Sequence, residues 1–372
     1  MKYYIIAGEA SGDLHGSNLI RSLKQADADA QIRCWGGELM QTEGGTLVKH
    51  YRETAYMGIF EVMANAKKIA ANFAFCYDDI ASFRPDVVIL IDYPGFNLRI
   101  AKWAKTQGIK VFYYISPKVW VWKESRVKHI KKYVDRMFVI FPFEKDWYAQ
   151  RHQYEVDYAG NPLIDAIEER KKSILPRSEF ILTNNLKDKP IIALLPGSRK
   201  QEITRLLPIM SQVAAKYSSC QFVIAGTSAF NLSFYQEYGS AQLPVVFNQT
   251  YELLFHSAAA VVASGTATLE TALFRVPQVV CYRINPATYI FGKPLIPIKY
   301  FSLVNIIMDK EVVRELLQFN LVRDISVELD KILNDTTYRN KMLASYDSLH
   351  QKCGGAGASV RVAELMVSYL KK

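Results

Sequence analysis

Five consecutive apolar residues, Ile191 to Leu195, stop at Pro196-Gly197 and give way to a charged, amphipathic stretch that starts at Ser198. A run this short and uniformly apolar reads as a strand buried on both faces, which a parallel sheet covered by helices provides. The residues that follow read as a helix with Ser198 as its N-cap. A strand ending in Gly197-Ser198-Arg199 at a helix start brings together backbone N–H groups, the positive end of a helix dipole and a guanidinium. These are the parts of a phosphate or diphosphate site. An ordinary βα turn with a surface arginine uses the same residues.

The rhythm of short strand, loaded turn and helix recurs along the chain. Strands are expected at 3–7, 32–35, 87–91, 110–115 and 136–141, and again at 191–195, 221–225, 245–247, 260–263 and 279–281. A long helix is expected over 56–83. The charged, irregular stretch 171–189 breaks the two series and reads as a linker, and a last helix should begin near Ala358 after Gly354, Gly355 and Gly357. Strands alternating with helices, twice over, predict an α/β chain of two doubly wound parallel-sheet domains, and 372 residues suit that number.

Composition narrows the function classes. No run approaches the roughly 18 apolar residues of a membrane span, and Met1-Lys2-Tyr3 leads straight into a strand, so no signal peptide is expected. Five scattered cysteines (Cys34, Cys76, Cys220, Cys281, Cys353) suggest a reducing cytoplasm without a zinc site. The six histidines lack metal-ligand spacing, so neither a metal nor a cofactor is expected. There is no dinucleotide glycine fingerprint, no Walker A sequence and no nucleophile elbow. A net charge of +10 calls for an anionic partner: nucleic acid, an anionic lipid surface or a phosphorylated substrate.

Ligands of doubly wound sheets bind off the carboxyl ends of strands, and four turns there carry chemistry: Gly8–Asp13, Asp92–Asn97, Gly197–Arg199 and Ser264–Glu270. Asp92 follows a wholly apolar strand and is a candidate general base, or a cap for the next turn. Glu9 and Asp13 are the competing carboxylates. Glu270 can accept hydrogen bonds from the vicinal hydroxyls of a ribose, or stand solvated on a capped helix. From Lys118 to Arg136, seven basic residues against two acidic ones alternate with Trp120 and Trp122. Such a mixture suits single-stranded nucleic acid, an anionic membrane surface or a solvated helix face. Met57, Ile59, Phe60 and Met63 open the 56–83 helix and form either an exposed membrane contact or part of a core.

Seven motifs in order carry a family resemblance: A-G-E-A-S-G-D from Ala7, M-G-I-F-E-V from Met57, R-P-D-V-V-I-L-I-D-Y-P-G-F-N from Arg84, Y-I-S-P-K-V-W-V-W from Tyr114, F-P-F-E from Phe141, L-L-P-G-S-R-K-Q-E-I from Leu194 and S-G-T-A-T-L-E from Ser264. Together they resemble the lipid-A-disaccharide synthases. The resemblance implies a GT-B glycosyltransferase: two Rossmann-like domains with the active site in the cleft between them. Residues 1–168 would form the acceptor side and 175–345 the UDP-sugar side, with a C-terminal piece from about 346 to 372 packing back on the first.

It implies inverting transfer of diacylglucosamine from UDP-2,3-diacylglucosamine to 2,3-diacylglucosamine 1-phosphate (lipid X), without a metal, at the inner face of the cytoplasmic membrane. Carried onto this chain, the donor site comprises Gly197, Ser198, Arg199, Glu202, Ser264, Gly265, Thr266 and Glu270. The acceptor site comprises Gly8, Ser11, Gly12, Asp13, Asn97 and Ser116, with Asp92 or Glu9 as catalytic base. The chain departs from the family pattern at Asn161, usually histidine, and at Val304, usually proline. Rival readings are another GT-B enzyme on a UDP-amino sugar (a lipid-II-type transferase or a 2-epimerase) and a basic nucleic-acid-binding protein, which leaves the four turns unexplained. No nucleic-acid partner is therefore expected.

Overall fold

The computed structural model describes residues 1–53, 66–121, 123–283 and 299–372. Met57, Ile59, Phe60 and Met63, the M-G-I-F-E-V motif and Trp122 lie outside the described residues; within the expected 56–83 span, Ala66–Phe83 is helix. The chain divides into two compact units, Met1–Ala166 with Cys353–Lys372, and Ile167–Lys352. The first division falls inside the helix Pro162–Lys171. The 171–189 stretch carries a helix of its own, Arg177–Thr183, where a linker was expected. Its anchor is Phe180, fully buried with its ring 5.1 Å from that of His256. One buried aromatic thus orders a segment whose charged composition hid it.

The first unit holds seven parallel strands: β1 (Lys2–Ala7), β2 (Gln31–Gly36), β3 (Thr46–His50), β4 (Val87–Ile91), β5 (Lys110–Tyr114), β6 (Arg136–Val139) and β7 (Asp157–Tyr158). Their order is β3-β2-β1-β4-β5-β6-β7. Side chains alternate between the two faces, as the pleat requires. Tyr4, Ile6, Val88, Leu90, Val111 and Tyr113 belong to one core cluster, and Tyr3, Ile5, Val87, Ile89, Phe112 and Tyr114 to the other. Because both faces are covered, the central strands need no polar positions, which is why they read as unbroken apolar runs.

The final helix, Ala358–Lys371, packs along the helix Ala10–Ala26 and adds Val362 and Met366 to the second of these clusters. Burying each such side chain contributes about 1.5–3 kcal/mol. Asp165 closes the helix start, accepting the N–H groups of Gly357 at 2.6 Å and Ser359 at 2.8 Å.

The second unit holds six parallel strands: β8 (Ile191–Leu195), β9 (Gln221–Gly226), β10 (Val245–Phe247), β11 (Ser257–Ala263), β12 (Gln278–Tyr282) and β13 (Glu315–Leu317). Their order is β10-β9-β8-β11-β12-β13. Both units are therefore doubly wound α/β sheets. Three strands that the sequence pattern did not reveal, β3, β7 and β13, each lie at a sheet edge. Edge strands are short and half-covered, so they lack the apolar run that marks an interior strand.

Candidate active site

In each unit, the strand order sets two of the four loaded turns side by side. Ala7 pairs with Ile91 across β1 and β4, so Gly8-Glu9 and Asp92-Tyr93 leave the sheet together. From β1 the chain goes on to β2 and β3 on one side, and from β4 to β5, β6 and β7 on the other. This is the topological switch point, where doubly wound sheets open a crevice. The second unit repeats the arrangement. Leu195 pairs with Val262, so the turns after β8 and β11, starting at Pro196 and Ser264, flank the switch point between those strands.

Asp92 is held by its backbone. It adopts a left-handed conformation (φ 42°), as does Tyr93 (φ 47°). Such conformations cost on the order of 1–3 kcal/mol each and persist only where the surroundings over-determine them. The Asp92 N–H donates to the Tyr114 carbonyl at 3.1 Å. Its carbonyl accepts from the Tyr113 hydroxyl at 2.5 Å and from Asn97 Nδ2 at 2.8 Å. Tyr93 turns its ring over Gly8, where a Cβ would stand 2.3 Å from the ring, so only glycine fits.

The Asp92 carboxyl is pushed up to about 6, first by burial and second by the nearby Glu9 carboxylate, while Lys118 and the Tyr93 backbone act against the rise. The side chain nevertheless retains exposed surface. Both features suit a base: access to substrate, and an affinity for protons close to neutral pH.

The expected acceptor residues separate. Ser11 is exposed, as is Glu9. Gly8 and Gly12 are buried packing positions; a Cβ at Gly12 would lie 3.0 Å from that of Ala7. Asp13 is buried and accepts the N–H groups of Gly37 (2.7 Å), Leu39 (3.2 Å) and Met40 (3.1 Å), so it shapes the neighbouring turn. Ser116 is buried against the Tyr148 hydroxyl at 2.8 Å. Asn97 is wholly buried and donates to the carbonyls of Ile91 (3.1 Å) and Asp92. Its place is beneath the base. Asn97→Ala should cost about 1–3 kcal/mol, because it strips a partner from two polar groups at a buried turn; urea denaturation measures the loss.

In the second unit, Arg199, and not Ser198, occupies the N-cap position of the helix Lys200–Ala214. The expectation of open N–H groups at this turn needs correction. The Glu202 carboxylate accepts from the N–H groups of Ser198 (3.1 Å) and Arg199 (3.3 Å). It also fills the space where a Cβ at Gly197 (φ 108°) would sit, 2.4 Å from Glu202 Oε2. Glu202 therefore moulds the turn, and the exposed Arg199 guanidinium is the group left to meet an anion. Tyr282, at the end of β12, lies within electrostatic reach of Glu202, Arg199 and Arg205.

Across the switch point, Ser264 Oγ donates to the Phe301 carbonyl at 2.9 Å, and Gly265 precedes the helix Thr266–Leu273 with Thr266 exposed. Glu270 lies within that helix and accepts from the Tyr251 hydroxyl at 2.9 Å. Burial raises the Glu270 carboxyl, and the Tyr251 bond lowers it.

Other motif residues are structural. Glu144 is buried, accepts from the N–H groups of Ile140 and Phe141 and from Trp120 Nε1 at 3.2 Å, and is pushed up to about 7 by burial. Trp120 is thus engaged, with its ring edge-on to Phe143, and is not a free stacking platform. Asn161 caps the helix Pro162–Lys171 through the Leu163 N–H at 3.0 Å, a task asparagine performs as well as any residue. Val304 lies in the first turn of the helix Leu303–Met308, where proline or valine fits. Sequence reasoning passed over Tyr251, Tyr282 and Arg205, which belong to no loaded turn, and read Lys118 only as the start of a basic run, not as a neighbour of Asp92.

Comparison with known proteins identifies the fold and the family. The family model of lipid-A-disaccharide synthetase matches residues 3–355. The lipid-A-disaccharide synthase of Coxiella burnetii is 37% identical over 368 residues, covering 97% of this chain and 96% of its own. That of Geobacter sulfurreducens is 36% identical over 377 residues, covering 99% and 97%. Among solved structures, the UDP-GlcNAc 2-epimerase of Neisseria meningitidis bound to UDP-GlcNAc superposes with a TM-score of 0.69 at 14% identity over 100% of both chains. A calicheamicin glycosyltransferase superposes at 0.60, also at 14% identity and 100% coverage. The structural likenesses speak for the fold, and the sequence relatives, matched from end to end, for the kind: the chain belongs to the lipid-A-disaccharide synthase family.

Proposed function

We propose that the chain joins 2,3-diacylglucosamine from UDP-2,3-diacylglucosamine to the 6-hydroxyl of 2,3-diacylglucosamine 1-phosphate, with Asp92 as the base and the second unit as the UDP site. The observation that carries the residue roles is the coincidence of the loaded turns with the switch point of each sheet. Asp92 takes the proton from the acceptor hydroxyl as its oxygen attacks the anomeric carbon. The bond from that carbon to the diphosphate breaks, and UDP departs with the electron pair. The Arg199 guanidinium stabilises the charge that gathers on the leaving diphosphate. Glu270 accepts hydrogen bonds from the ribose hydroxyls.

Incubation with the UDP-sugar and lipid X, followed by mass spectrometry, should yield UDP and a disaccharide phosphate. UDP-sugar converted to its 2-epimer without a disaccharide would favour the epimerase reading instead.

No helix among the described residues is long and apolar enough to cross a membrane. We place the enzyme at the inner face of the cytoplasmic membrane, since both substrates carry acyl chains and Lys118, Lys128 and Lys132 are exposed basic groups. Sedimentation with anionic vesicles should show binding that weakens as salt rises. Binding indifferent to salt would remove the electrostatic part.

A further inference from the structure

Tyr251 stands at the start of the short helix Thr250–Phe255, which follows β10, far in sequence from the turn after β11. Its helix is anchored by the buried Leu253 and Leu254, and by Glu252 paired with Arg170. Its ring packs on Phe274 with centroids 5.2 Å apart. Held in this way, the hydroxyl donates to Glu270 Oε1 at 2.9 Å. Among the described residues no other group bonds the Glu270 carboxylate, and the residue is half-buried, so its second oxygen and the remaining lone pairs of Oε1 keep acceptor capacity for a ligand. A glutamate has three rotatable bonds, and a carboxylate that must accept from two vicinal hydroxyls at once gains from having one oxygen fixed beforehand.

We propose that Tyr251 is a positioning residue that sets the ribose specificity of the site by fixing the Glu270 carboxylate to receive the 2′- and 3′-hydroxyls together. This rests on the nucleotide-site reading above. The same bond supports the ionised form of Glu270 against the burial that raises its carboxyl. Without the hydroxyl, Glu270 takes up its proton at higher pH and loses its acceptor capacity sooner on acidification. A phenylalanine at 251 keeps the ring packing and removes only the donor.

The test is calorimetry of UDP and 2′-deoxy-UDP on the full chain and on Tyr251→Phe, from pH 5 to 8. The unaltered protein should prefer UDP by roughly ten-fold or more, the value of one hydrogen bond to a charged group. In Tyr251→Phe, UDP affinity should fall about five- to ten-fold while 2′-deoxy-UDP changes less than about two-fold, so the preference collapses. The acid fall-off of UDP binding should also move to higher pH in the variant. Unchanged 2′-deoxy-UDP binding doubles as evidence of an intact fold. If the variant keeps both the preference and the pH profile, Tyr251 merely pins two helices together and the proposal is overturned. If the unaltered protein binds UDP and 2′-deoxy-UDP equally, the ribose role of Glu270 fails with it. If it binds neither, the nucleotide site itself is misassigned.

Discussion

Asp92→Asn should lower kcat by two or more decades and leave UDP affinity near its original value. A sugar hydroxyl is a poor nucleophile until its proton begins to leave, and positioned base catalysis typically contributes about 10²–10⁴-fold. Asparagine is the informative replacement for a second reason. Asp92 has φ 42°, and asparagine tolerates the left-handed region as well as aspartate does, whereas alanine would add backbone strain.

Two pH effects follow from the raised carboxyl. The base must be ionised, so kcat/KM should decline as pH falls through about 6, and this limb should vanish from any residual activity of the variant. The linkage to stability has the opposite sense from that of a paired aspartate. Between its usual value and about 6, the folded protein binds more protons at Asp92 than the unfolded chain does, so stability declines as pH rises through that window. At neutral pH the asparagine variant should therefore be at least as stable as its parent, and urea denaturation of both proteins checks this. Glu9 is exposed beside Asp92 and supplies the control. Near-normal kcat in Asp92→Asn together with a collapse in Glu9→Gln would make Glu9 the base.

Arg199→Ala should weaken UDP binding by about one to two decades, since a charge-assisted contact is worth roughly 1.5–3 kcal/mol. The structure sharpens the reason. The N–H groups of Ser198 and Arg199 already donate to Glu202, so the turn cannot present them to a diphosphate while that carboxylate stays in place. The guanidinium must then supply most of the local attraction. Arg199 is exposed, so the comparison should be run at one fixed ionic strength. Calorimetry on a folded variant measures it, and an unchanged affinity would take Arg199 out of the site.

The local sequence was sufficient for the interior strands and the loaded turns, though not for the Ser198 turn, whose N–H groups Glu202 takes up. Val87–Ile91 and Ile191–Leu195 are strands because five apolar residues in a row suit a position covered on both faces, and their bounds were readable as they stand. The loaded turns were legible because glycine, proline, hydroxyl and carboxylate residues interrupt such runs at one place. The seven ordered motifs carried the family. Tertiary structure decided what depends on neighbours distant in sequence. Strand order placed Asp92 beside Gly8, and Gly197 across from Ser264, because pairing is chosen by the packing of the whole sheet and not by any one strand. Burial then sorted the turn residues by task. Asp13 and Ser116 spend their polar atoms on backbone or buried side-chain partners, and Asn97 spends its amide N–H groups on the Ile91 and Asp92 carbonyls. Asp92, Arg199 and Thr266 kept open surface. Tyr251 was invisible in sequence for the same reason: a tyrosine at the start of a short helix has no local mark, and only the fold carries its hydroxyl to Glu270.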